Sequence, residues 1–284
     1  MEVDIIRAMN MHPVVQSYDQ KDAILFALGL GYGDDPLDEA DLRFVYEQNL
    51  QCVPAYANVL CHPGFWVQKP EFGIDWVRLL HAEQHLTIHK ALPPTGTLRG
   101  KYRVASIEDK GAARGALLHQ EKELYDAVTS DHLATVRSTL FLRGNGGEGG
   151  FGEPPVPALP LPDREPDRTV EIATLPRQAL IYRLSGDWNP LHADPQIARR
   201  AGFDRLILHG LCTMGLATRA ILSAYCANDV DRFRSIFVRF SAPVMPGEAI
   251  RFEFFEEDGH RLRFRAIALD RGAVVLDRCS ASVG

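Results

Sequence analysis

Tyr182–Leu211, YRLSGDWNPLHADPQIARRAGFDRLILHGL, is the stretch around which the chain is organised. Its densest part, Ser185-Gly186-Asp187-Trp188-Asn189-Pro190-Leu191-His192, puts an acid (Asp187), an amide (Asn189) and an imidazole (His192) within six residues. Gly186 permits backbone angles that other residues resist, and Pro190 fixes its own φ and restricts the residue before it. Alternating freedom and constraint predicts an irregular loop that holds side chains at set angles. Asp beside His suits general acid–base chemistry, because each group tunes the pKa of the other. Asp, Asn and Pro are also ordinary turn residues, so these eight positions alone fit a helix-capping turn equally well.

The second half of the stretch adds chemistry. Ile207-Leu208-His209-Gly210-Leu211-Cys212-Thr213-Met214-Gly215 leads into a predicted helix that ends near Tyr225. Leu211, Met214, Ala217, Ala220, Ile221 and Ala224 share one stripe at helical spacing, and Gly215, Ala217 and Ala224 keep the helix slim. Gly210 at its start leaves a bare N–H at the positive end of the helix dipole. Such a group can stabilise an oxyanion, as when a thioester carbonyl becomes an enolate. His209 reads as structural, its backbone leading into Gly210.

YRLSGDWNPLH, followed by AGF and ILHGLCTMG, resembles the R-specific enoyl-CoA hydratases of the MaoC-like, double-hotdog type, which include the hydratase domain of the peroxisomal multifunctional enzyme. Further matches are Arg239–Gly247 (RFSAPVMPG) and, more loosely, Tyr18–Gly29 (YDQKDAILFALG), so the resemblance covers most of the chain. It implies an α+β double hotdog, two repeats each with an antiparallel sheet wrapped round a central helix. It also implies reversible hydration of a trans-2-enoyl-CoA to the (3R)-hydroxyacyl-CoA. In that scheme Asp187 and His192 are the acid–base pair that holds the water, Asn189 orients the centre and touches the thioester, and the Gly210 N–H meets the oxyanion. Which of Asp187 and His192 is base and which acid stays open. No metal or redox cofactor is implied; coenzyme A enters as part of the substrate.

Composition fits a globular chain long enough for one large or two ordinary domains: 284 residues, 46% hydrophobic and 24% charged. The net charge of −6 argues against a nucleic-acid surface. Five scattered cysteines without a CxxC pattern predict no disulfide framework and no zinc site, as in a reducing compartment. No segment approaches the ~20 apolar residues of a membrane span. MEVDIIRAMNMHP lacks the marks of a signal peptide, and Ser280–Gly284 is not a peroxisomal address. A cytoplasmic enzyme of fatty acid metabolism and β-oxidation, acting as a homodimer, is the expectation.

Along the chain, residues 1–143 are expected to form an N-terminal repeat, 144–168 a Gly/Pro linker and 169–284 the catalytic repeat. In the first part Tyr18–Leu30 predicts a helix with a glycine stop at Gly29–Gly33, and Leu42–Tyr46 a strand. Val53–Cys61 stands where the resemblance puts the first central helix; with no G-D-x-N-P-x-H before it, this repeat is expected to be non-catalytic and to shape the acyl pocket. Leu86–Pro93, Leu98–Asp109, Gly115–Asp126 and Leu133–Arg143 read as strands. His81, His85 and His89 would align on a helix, but the neighbouring strand character favours ordinary histidines over a metal site. In the second part the predicted strands are Thr169–Ala173, Phe233–Ala242, Ala249–Glu256, Arg261–Leu269 and Ala273–Ala281, with a short helix at Pro176–Arg183. Arg261, Arg263 and Arg265 alternate with apolar residues, which predicts one wet and one buried face.

Two other readings use the same fold. A hotdog acyl-CoA thioesterase usually places a carboxylate near the central helix without the complete loop motif. A non-enzymatic acyl-CoA binding subunit would lack Asp187 or His192, and both are present.

Overall fold

The computed structural model describes all residues from 1 to 284. In chain order the elements are α1 (Val3–Ala8), β1 (Val14–Tyr18), α2 (Gln20–Leu28), α3 (Leu42–Val45), β2 (Leu79–Ile88), β3 (Gly96–Asp109), β4 (Ala116–Asp126) and β5 (His132–Leu142). They continue with β6 (Arg168–Ala173), α4 (Gln178–Tyr182), α5 (Pro195–Arg200), α6 (Gly210–Tyr225), β7 (Phe233–Arg239), β8 (Ala249–Glu256), β9 (Arg261–Ala268) and β10 (Ala273–Val283). All ten strands join one antiparallel sheet in the order β1-β3-β4-β5-β2-β7-β10-β9-β8-β6. From either edge inward the connectivity is the same: the first, third, fourth and fifth strands of each half, and then its second strand at the seam. That is the double-hotdog plan, α+β, which the halves' sequences alone do not reveal.

The seam between the halves is β2 against β7, with Gln84 opposite Val238 and Leu86 opposite Ile236. One apolar core crosses it: Leu86, Leu98 and Val136 belong to the same cluster as Leu216, Ala220, Ile250 and Phe252. The middle of α6 is buried all round, from Cys212 to Thr218. Gly215 makes room there for Leu30, just past α2: a Cβ would lie 2.4 Å from Leu30 Cδ2, so that buried side chain would have to shift.

The first half departs from its expectation. Val53–Cys61 holds no central helix, only a buried 3-10 turn, Pro54–Asn58. One turn leaves carbonyls with no helical partner, and the buried Lys122 Nζ of β4 lies within hydrogen-bond distance of three of them, Ala57 (2.8 Å), Asn58 (3.0 Å) and Leu60 (2.7 Å). Leu42–Tyr46 is also corrected, from strand to the single helical turn α3 with Phe44 fully buried. Four residues are too short a run to show either period, and here packing of Phe44 on the Tyr32 ring (4.6 Å) decides. The strand expected at Leu86–Pro93 instead starts at Leu79 and stops at Ile88.

Gly29–Gly33 does end a helix. Gly31 and Gly33 have φ of +77° and +79°, and Arg219 of α6 donates to the Gly31 carbonyl at 2.7 Å. The Gly-rich start of the inter-half segment is pinned rather than loose: the Asp109 carboxylate accepts N–H bonds from Gly147 and Gly149, each at 2.8 Å. Arg261, Arg263 and Arg265 each pair with an acid, Asp258, Glu257 and Glu253, as a wet sheet face would. No helix is long and apolar enough to cross a membrane.

Candidate active site

The loop between α4 and α6 is aimed by packing at both ends. Gln178 of α4, fully buried, donates to the Gly29 carbonyl at 2.7 Å and accepts from the Leu175 N–H. A side chain at Gly29 would come within 3.1 Å of the Tyr182 Cα, so the glycine lets α2 and α4 touch. The chain then turns at Gly186, whose φ of +130° is closed to most L-residues. Asp187 follows, and its carboxylate accepts the Asn189 N–H at 3.1 Å. Asn189 caps the 3-10 turn Pro190–His192 by accepting the Leu191 N–H at 3.0 Å. These short bonds fix the angle between Asp187 and His192.

Three donor groups converge: ligand atoms of Asp187, His192 and His209 all lie within 4.8 Å of one another. His192, 7% exposed, places Nδ1 2.9 Å from the Ile207 carbonyl. A carbonyl only accepts, so Nδ1 carries the proton and Nε2 of the neutral ring keeps its lone pair. Burial holds the His192 pKa below its ordinary value, against the opposing pull of the Ile207 bond and the Asp187 charge. His209 lies on the other face, its ring centroid 3.7 Å from that of His192. Its Nε2–H donates to the Asp187 backbone carbonyl (3.2 Å), and burial, with the neighbouring His192, pushes its pKa down to about 4.

His209 is the N-cap of α6, so Gly210 is the first helical residue and its N–H has no intrahelical acceptor. A Cβ on Gly210 would meet the Phe240 ring at 3.2 Å. Phe240 in turn packs on His81, whose Nε2–H donates to the Gln84 side-chain oxygen at 2.9 Å. Gln84 donates to Asn58 of the short turn. The first half therefore reaches the helix head through the Phe240 ring, backed by the hydrogen-bonded set His81, Gln84 and Asn58.

The structure brings Asp187 and His192 together, and Gly210 is the first residue of α6. Asn189 is exposed, with its side-chain oxygen engaged by the loop, so its visible task is to shape that loop. His81, His85 and His89 do not converge: they face Phe240, Phe237 and His132. The sequence reading missed the stacking of His209 on His192; only its place beside Gly210 hinted at it. The stacked rings could offer one nitrogen each to a metal, since the other nitrogen is committed to a backbone carbonyl.

Residues 158–277 match the model of the MaoC like domain, and residues 16–144 that of the MFE-2 hydratase 2 N-terminal domain. The chain is 36% identical over 289 residues to "Enoyl-CoA hydratase 2, peroxisomal" of Arabidopsis thaliana, covering 96% of this chain and 93% of that one. Among solved structures it is similar to a MaoC-like dehydratase from Phytophthora capsici, with TM-score 0.87, 36% identity and coverage of 100% and 99%. It is similar also to full-length peroxisomal multifunctional enzyme type 2 of Drosophila melanogaster, with TM-score 0.81 and 35% identity. There the match covers 96% of this chain and 48% of that longer one.

Proposed function

The chain belongs to the MaoC-like dehydratase family, in its hydratase 2 group, and from this premise we propose how the centre at Asp187 and His192 works. The reaction is the hydration of an enoyl-CoA to a 3-hydroxyacyl-CoA. An O–H bond of water breaks, its oxygen bonds to C3, and C2 gains a proton while charge builds on the thioester oxygen. His192 Nε2 and the Asp187 carboxylate hold the water, and the pair carries the proton between its removal from water and its delivery to C2. The Gly210 N–H stabilises the enolate oxygen, a contribution of about 3–4 kcal/mol for one such donor. Asn189 sets the loop and reaches toward the thioester. No step changes oxidation state, so acid–base groups suffice and no metal or redox cofactor is assigned.

The observation that carries this reading is the convergence of an acid and a neutral buried imidazole at the head of a buried helix. The thioesterase reading is not favoured: the relatives are named hydratases and dehydratases, and the loop motif is complete. The (3R) configuration, a role in fatty acid β-oxidation, the pocket-shaping role of residues 1–143 and a homodimer complete the proposal. Chiral analysis of the product tests the first, and sizing chromatography the last. Five buried free thiols fit any compartment that does not form disulfides, the cytoplasm included, and the Arabidopsis and Drosophila relatives carry "peroxisomal" in their names. Imaging of the tagged chain in its own cell decides between the two compartments.

The test is enoyl-CoA consumption by the wild-type chain and by Asp187→Asn and His192→Gln. Turnover in the wild type and loss by orders of magnitude in both folded variants is expected; a variant that keeps near-normal turnover removes its residue from the mechanism.

A further inference from the structure

His209 is joined to Asp187, to His192 and, as its chain neighbour, to Gly210. Its ring is 1% exposed and lies between two others, His192 at 3.7 Å and Tyr182 of α4 at 5.0 Å. One nitrogen holds the Asp187 backbone at 3.2 Å. Its own carbonyl accepts the Thr213 N–H, so the same residue begins α6 and presents Gly210. A helix cap needs none of this: the N-cap side chain of α6 makes no capping bond. An apolar ring would fill the same space more cheaply, because His209 Nδ1 is buried without a hydrogen-bond partner. A buried polar ring kept at that expense, with its one bond spent on the acid residue's backbone, points to function.

We propose that His209 is a positioning residue of the hydration: as a neutral ring it ties Asp187 to the head of α6 and braces His192 from behind. This rests on the reading of Asp187 and His192 as the acid–base pair. The physical requirement is narrow. Two imidazoles at 3.7 Å cannot both carry charge in a buried site, so the ring behind the base must stay neutral while the base accepts a proton. The groups facing His209 agree with this. His192 and Arg183 oppose its protonation and the Asp187 charge favours it, while the burial that outweighs them all also encloses the Tyr182 ring. The bond to the Asp187 carbonyl fixes which nitrogen is protonated, Nε2. Loss of that bond frees the loop at the residue whose carboxylate must face the water, and a shift of about 1 Å there lowers rate about a hundredfold.

Two variants separate bracing from packing. His209→Phe keeps a ring against His192 and Tyr182 but has no N–H for the Asp187 carbonyl. His209→Gln keeps an N–H at a similar reach. With steady-state kinetics on enoyl-CoA, the Phe variant is expected to lose kcat by about a hundredfold with KM within about threefold. The Gln variant is expected to recover most of that loss, with both melting near the wild type. A Phe variant with wild-type kcat, or a Gln variant no better than the Phe variant, overturns the proposal. A second measurement needs no activity: 15N spectra of the histidine-labelled wild-type protein at pH 7 are expected to show His209 neutral and protonated on Nε2. A protonated ring, or a proton on Nδ1, overturns it as well. An inactive wild type with the expected His209 tautomer would instead count against the hydratase reading.

Discussion

At the scale of single residues the reaction depends on one lone pair. The Ile207 carbonyl takes the His192 Nδ1 proton, so Nε2 can act as base only while the ring is neutral. Burial lowers the His192 pKa from its ordinary 6.5, and a base works in its unprotonated form. The sign follows directly: as pH falls, kcat/KM should hold through 6.5 and decline only below it. A decline already centred above 6.5 would contradict the burial argument. Gly210→Ala is expected to lower kcat, because its Cβ would meet the Phe240 ring at 3.2 Å and turn the helix head. Unchanged kinetics would exclude the Gly210 N–H from the site. The sequence made Asp187, His192 and Gly210 legible because chemistry and spacing coincide in one short stretch. His209 and His81 were not legible, since their roles arise from contacts with residues far along the chain, Asp187 and Phe240.

At the scale of elements, most strands and α6 followed from periodicity with ends within a few residues, but β1 was not read at all and β2 begins seven residues before its expected start. The misread pieces were short. Residues 42–46 are too few for a period to show, and Pro54–Asn58 closes after one turn, where Lys122 meets the carbonyls that a longer helix would have satisfied. That lysine has a measurable signature. Burial pushes its pKa from 10.5 down to about 7, so between those values the unfolded chain binds a proton that the folded chain does not. Stability therefore rises with pH across that window, by about 2 kcal/mol from pH 7 to pH 9 for this one group. Urea titrations of the wild type and Lys122→Met at both pH values check this. The variant should lose the rise, whatever its absolute stability; an identical pH slope in both would show that Lys122 is charged when folded.

At the scale of the whole molecule, two similar half-sheets share one seam and one core, and only the second carries the acid–base loop. The segment from Glu153 to Leu159 is mostly exposed and lies outside regular structure. A protease of broad specificity is expected to cut there first, and the nicked halves should still elute together, held by the β2–β7 ladder and the shared core. Separation into two folded halves would show that the seam is weaker than its burial implies. The division of labour between the halves matters only if the chemistry is hydration, and one measurement addresses that most directly. The purified chain is given trans-2-enoyl-CoAs of several chain lengths, and loss of the conjugated thioester is followed beside release of free thiol. Loss of conjugation without thiol, abolished in Asp187→Asn, is the predicted result. Thiol release, or consumption undiminished in that variant, would contradict the account.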